Sequence, residues 1–295
     1  MDICKSFVCI VNAQLSPVTK KVYLERLRYI INDTQVELNE ILINPDKYLK
    51  WVEEHSSTPQ TQKSYISAIL AVFKHTPDLK DKYRQHYYKW YEGFKKNHNS
   101  IDENYKHNKP SEKQKAGYVE YKDIIKKRDS LPEGSKERLL LSLYTYLPPL
   151  RSDFNKIYIY EKEPKTYEYD NYITLFEDKP KLVLQEYKTA KTNEIYEKEL
   201  PDELVKEIKI SLKNNPREWL FMDRTKNYYR SSSFTKWINR TLKKLFGKPL
   251  TISLIRHSYI NQLDFNKLTV KQKEDIANDM RHTTNTQDRY RLIFN

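Results

Sequence analysis

Glycine is scarce in this chain. Its 295 residues hold four, Gly93, Gly117, Gly134 and Gly247, each isolated from the others. A loop that cradles phosphate needs several glycines at fixed offsets, so that backbone N–H groups can approach the anion. Neither G-x-G-x-x-G nor a Walker loop can be assembled here, which argues against chemistry driven by ATP or a dinucleotide; no cofactor is expected. Cysteine is scarcer still, with Cys4 and Cys9 alone. Two cysteines supply neither a disulfide framework nor a zinc cluster, H-E-x-x-H and C-x-x-C are absent, and no metal is expected. Long apolar runs are missing too: none approaches the roughly 18–20 residues that a membrane span requires. Met1-Asp2-Ile3-Cys4 lacks the basic-then-apolar layout of a signal peptide. The expectation is an intracellular setting with no membrane partner.

Positive charge and tyrosine are abundant instead. The chain carries 53 Lys+Arg against 40 Asp+Glu, a formal charge of +13, with 24 Tyr and 10 Phe. Phosphate contacts by Lys and Arg supply most sequence-independent affinity for nucleic acid, so the balance points to a polyanionic partner. A lysine-rich soluble surface would give the same balance, and the charge needs a site beside it. The length suits two domains, each with a core of its own.

The first hundred residues read as helical. Ser16-Pro17 and Thr58-Pro59 each pair a capping side chain with a proline whose missing N–H costs nothing at a first helical position. An apolar stripe follows each: Val18, Tyr23, Leu24, Leu27, Ile30 and Ile31, then Ile66, Ile69, Leu70 and Phe73. Leu38 to Val52 predicts short helices interrupted at Asn44-Pro45, and Lys80 to Lys96 one aromatic-rich helix. Residues 98–115 are polar and aperiodic and read as a linker, which divides the chain into domains 1–109 and 110–295. A further helix ends at Pro148-Pro149, leaving Arg151 on a rigid turn. Four short segments then read as strands: Ile157–Tyr160, Tyr172–Phe176, Lys181–Tyr187 and Ile195–Leu200. A small antiparallel meander is the economical arrangement, with Lys188 and Lys191 at the tip between its last two strands. Later helices begin at the Ser231-Ser232-Ser233 cap, near Thr251, and at the capping box Thr269–Gln272. The fold class is therefore mainly α with a small antiparallel sheet, α+β.

The chemistry-bearing residues are Arg151, Lys188, Arg256, His282 and Tyr290, in that order. Two arginines offer planar forks that keep their proton and match phosphate oxygens. A lysine on a hairpin can protonate a leaving oxygen. A phenol can form a covalent phosphotyrosine that conserves the bond energy, which agrees with the missing nucleotide loops. Singly, each residue has an ordinary structural role: a helix-capping arginine, one lysine of many, a packing tyrosine. Order, spacing and context together raise them above it.

This pattern resembles the tyrosine recombinase, or phage-integrase, family. The matching segments are Pro-Pro-Leu-Arg-Ser-Asp at Arg151, Glu-Tyr-Lys-Thr-Ala-Lys-Thr at Lys188, Ser-Leu-Ile-Arg-His at Arg256, Met-Arg-His-Thr at His282 and Gln-Asp-Arg-Tyr at Tyr290. They cover roughly residue 111 to the end. Thr19–Tyr23 and Thr58–Tyr65 resemble the helical, SAM-like core-binding domain of the family, and the Pro-Pro-Leu-Arg and Tyr-Lys-Thr-Ala-Lys-Thr wording resembles members from large eukaryotic DNA viruses. The resemblance implies site-specific cleavage and rejoining of double-stranded DNA by a homotetramer on two sites. Tyr290 would be the nucleophile, Arg151, Arg256 and His282 the charge stabilisers, and Lys188, or else Lys191, the acid. Two positions depart from the pattern. Ser253 stands where the family has a histidine, leaving its role to His257 or water, or else to a simple hydrogen bond from this position to the phosphate, and Arg281 stands where the family has glycine. A type IB topoisomerase and an inactive DNA-binding relative are the alternatives. The basic run from Lys213 to Lys248 would add phosphate contacts.

Overall fold

The computed structural model describes residues 7–187 and 195–294, and the chain divides into two compact units between His107 and Asn108. The first is all helical: α1 (Val8–Asn12), α2 (Pro17–Thr34), α3 (Leu38–Ile43), α4 (Pro45–Glu54), α5 (Pro59–His75), α6 (Leu79–Lys82) and α7 (Arg84–Lys106). Helices α2, α4 and α5 begin on proline, and the Ser16 and Thr58 side chains accept from the backbone N–H of Thr19 and Thr61. The core gathers around Trp90, which is fully buried and donates from Nε1 to the Leu42 carbonyl at 3.1 Å. Leu27, Ile30, Tyr48 and Phe73 belong to the same buried cluster, each buried side chain contributing about 1.5–3 kcal/mol. Val18, which the spacing puts in the stripe, is 73% exposed. It sits on the first turn of α2, ahead of the residues that turn inward.

Two boundaries differ from expectation. The aromatic helix breaks at Tyr83, whose backbone (φ −117°, ψ 40°) leaves the helical region between α6 and α7. Beyond it, α7 runs on to Lys106 through residues 98–106 that read as linker. Ile101 is buried, the Asn97 side chain donates to the Gly93 carbonyl, and Glu103 pairs with Lys106, so local contacts hold a polar segment helical.

The second unit holds α8 (Glu112–Gly117), α9 (Tyr121–Asp129), α10 (Lys136–Leu143), β1 (Tyr158–Tyr160), β2 (Asn171–Thr174), β3 (Lys181–Leu184), β4 (Tyr196–Glu199), α11 (Asp202–Asn214), α12 (Ser231–Phe246), α13 (Ile252–Asn261), α14 (Val270–Asp279) and α15 (Thr284–Asp288). It is helical with a four-stranded sheet in the order β1-β2-β3-β4. The sheet is mixed, which corrects the antiparallel meander: β1 pairs with β2 in parallel, while β2–β3 and β3–β4 are antiparallel. Residues 161–170 form a long enough connection to carry the chain back before β2 begins. Tyr167 and Tyr169 on that connection pack against Tyr160 and Tyr158. The free edge of β1 is covered by backbone bonds between Ile157–Ile159 and Glu218–Leu220. Ile159, Ile173, Leu182, Leu184 and Tyr196 turn into the core with Tyr144, Phe154 and Phe234.

Candidate active site

Helix α10 stops at Leu143, before the two prolines, because the N–H groups of Tyr144 and Thr145 reach back only three residues. The chain then turns through Pro148-Pro149 to Arg151. The Tyr144 hydroxyl, fully buried, donates to the Arg151 carbonyl at 2.8 Å and fixes that turn. Arg151 in turn donates from Nη1 to the Arg281 carbonyl at 3.1 Å.

Arg256 rises from α13, which starts where the Thr251 side chain accepts from Leu254 N. The arginine is 1% exposed. Its Nη1 donates to the carbonyl of Pro149 and, at 3.3 Å, to that of Met280. Its Nη2 donates to Met280 O at 3.3 Å and to His282 Nδ1 at 2.9 Å. A guanidinium has donors only, so Nδ1 of His282 accepts and the imidazole proton sits on Nε2. Burial pulls the Arg256 guanidinium down from its ordinary value, opposed by the Tyr290 side chain, without discharging it. Burial first, then the charges of Arg256 and Arg151, holds His282 down to about 3, which makes it a neutral donor.

The turn before His282 forms without glycine. Helix α14 opens with the capping box expected at Thr269 and Gln272 and ends at Asp279. Arg281 N then bonds Asn278 O and His282 N bonds Ala277 O, a Schellman closure with Arg281 at φ +53°. A left-handed residue bearing a side chain costs about 1–2 kcal/mol. Tyr290 follows α15, and its ring covers the pair beneath it. Arg256 Cζ is 4.7 Å from the ring centroid, and the His282 ring lies 5.4 Å away at 29°. Arg256 Nε and His282 Nε2 are buried donor atoms with no hydrogen-bond partner of their own among the described residues. Such groups are costly unless an acceptor arrives.

Four of the five expected residues, Arg151, Arg256, His282 and Tyr290, thus come together around the Met280–Arg281 turn. Lys188 and Lys191 lie outside the described residues. Ser253 is exposed on the first turn of α13. The second imidazole beside the tyrosine is that of His257, whose Nδ1 donates to the Tyr290 carbonyl at 2.6 Å. Its Nε2 faces Gln114 Nε2 at 3.4 Å. Gln114 spends its oxygen on Ser111 in the capping box of α8, leaving the amide nitrogen for the imidazole. No sequence spacing marks Gln114 as part of this cluster, because 143 residues separate it from His257.

The basic run divides. Lys236, Arg240, Lys243 and Lys244 of α12 are exposed. Arg217 turns inward and donates to the carbonyls of Leu220, Ser211 and Asn215, so it braces the end of α11. The helix after it begins at Ser231 itself, with Arg230 at the cap and no side-chain cap from the serines. Among the described residues no cluster of His, Cys, Asp and Glu is suited to a metal ion, and no helix is long and apolar enough to cross a membrane.

No protein-family model and no curated protein sequence matches this chain. Twenty chains of known structure do. One is the crystal structure of XerA recombinase, with a TM-score of 0.45 at 15% identity, covering 96% of this chain and 89% of that one.

Proposed function

We propose that this chain is a DNA strand transferase of the tyrosine recombinase class, acting at specific sites on double-stranded DNA as a homotetramer. The reading is carried by the pair of buried, unpartnered donors, Arg256 Nε and His282 Nε2, lying against the ring of Tyr290. Fixed donors in a water-poor site are what a phosphorane-like transition state needs, since charge accumulates on its nonbridging oxygens. Arg151 adds a second guanidinium, bonded to the Arg281 carbonyl on the turn before His282. The Tyr290 oxygen attacks phosphorus, the P–O5′ bond breaks, and a 3′-phosphotyrosine forms. The phenolic proton leaves to water, and Lys188 protonates the departing 5′ oxygen. The exposed cations of α12 supply phosphate contacts.

A nicked duplex that loses its 5′ fragment after cleavage traps the covalent adduct. The unmodified protein is expected to be captured on it, and Tyr290→Phe to bind the duplex without capture. Capture by Tyr290→Phe would remove the nucleophile from the scheme. Relaxation of supercoiled DNA with no two-site product would assign the chain to topoisomerase chemistry instead.

A further inference from the structure

Arg281 holds φ +53°, a conformation in which glycine is the undemanding residue. What the residue touches gives this conformation a use. Its carbonyl accepts from Arg151 Nη1 at 3.1 Å, which joins its main chain to the arginine–histidine cluster. Its guanidinium reaches the other way. Nη2 donates to the Tyr187 hydroxyl, and Cζ stands 4.8 Å from the Tyr187 ring centroid and 5.2 Å from that of Tyr196. Tyr187 lies just past β3 and Tyr196 opens β4, so one side chain grips the exit of one strand and the entry of the next. A second bond runs parallel to it: Lys198 Nζ on β4 meets both carboxylate oxygens of Asp279, the last residue of α14, at 2.8 and 3.0 Å.

We propose that Arg281 is a positioning residue for strand cleavage, which holds the ends of β3 and β4 against the turn carrying His282 and exerts its effect at the leaving-oxygen step. The inference rests on the reading above, in which a lysine between those strands protonates the 5′ oxygen. A planar guanidinium can lie against two aromatic rings and donate to a hydroxyl at once, whereas an ammonium satisfies only part of that set.

Glycine suits this backbone, so Arg281→Gly deletes the side chain without straining the turn. Capture is measured on two nicked duplexes, one ordinary and one with sulfur in place of the bridging 5′ oxygen. In both, the Tyr290 oxygen bonds to phosphorus. An oxygen leaving group needs a proton, whereas a thiolate departs without one. On the ordinary duplex Arg281→Gly is expected to slow capture roughly tenfold to a hundredfold, and on the sulfur duplex to stay within about threefold of the unmodified protein. Arg281→Lys should fall between the two on the ordinary duplex, with the melting temperature of each variant little changed. Equal slowing on both duplexes would overturn the inference and leave Arg281 a structural part of the turn, as would unchanged capture on both. Failure of the unmodified protein on either duplex, before any variant is made, would overturn the strand-transferase reading and this inference with it.

Discussion

His257 donates from Nδ1 to the backbone carbonyl of Tyr290 across 2.6 Å, while the two rings lie 4.9 Å apart. The carbonyl can only accept, so Nδ1 carries the proton and the imidazole acts on the main chain of the tyrosine. Burial pushes its pKa below the ordinary value, in keeping with a neutral ring. His257→Ala leaves that carbonyl without its donor, a loss of about 1–3 kcal/mol. A lower melting temperature and slower capture are expected, with partial recovery in His257→Asn, whose amide can donate. An alanine variant that melts and reacts as the unmodified protein does would dismiss the contact.

Acid should weaken the second unit through His282. Its imidazole is held down to about 3 in the fold, against about 6.5 when unfolded. Between those values the unfolded state binds more protons, so stability rises with pH. The contribution is fully present above about pH 6.5, declines as pH falls, and is gone below about pH 3. Replacing the imidazole in His282→Gln should flatten the fall of melting temperature across that window. An unchanged acid slope would assign it to other groups.

The two arginines should separate in their effects. Arg256→Ala strips donors from Pro149, Met280 and His282 in a buried site, at a cost of about 2–4 kcal/mol. For a unit of this size that lowers the melting temperature by about 5–15 °C. Arg151 is half-buried and donates to Arg281 O. Arg151→Ala should therefore cost about 1 kcal/mol or less while slowing capture by about 10²–10³. Thermal melts beside capture rates check both, and equal destabilisation by the two variants would refute the contrast.

Two glycines make a stability test independent of DNA. A Cβ on Gly117 would stand 2.6 Å from the backbone carbonyl of Pro249 and 2.7 Å from Leu254 Cδ1, so backbone has to move. Gly117→Ala is expected to cost about 1–3 kcal/mol, as overpacking does. Gly247 closes α12 at φ +66° with nothing within 4 Å of a Cβ, so Gly247→Ala meets only the left-handed penalty of about 1 kcal/mol. Urea midpoints for the two variants should rank in that order.

The sequence by itself determined the local elements and supplied the candidate residues of the site. Ser16-Pro17, Thr58-Pro59, Asn44-Pro45 and the Thr269–Gln272 box act within one helical turn, and each starts a helix at the residue it marks. Their effect depends on neighbours along the chain, so pattern suffices to read them. Arg151, Arg256, His282 and Tyr290 were singled out from residue type and order, and the fold brings these four side chains together. Tertiary structure decided what spacing does not encode. It made β1 and β2 parallel, because strand direction depends on the path of residues 161–170 and not on the pattern of β1 itself. It turned Arg217 inward, because the carbonyls at the end of α11 needed a donor. It also set His257 against the Tyr290 carbonyl, Gln114 against His257 and Arg281 against Tyr187, through contacts between residues 33 to 143 positions apart. Contacts at that range follow from packing three-dimensional surfaces together, and no local preference of the chain specifies them.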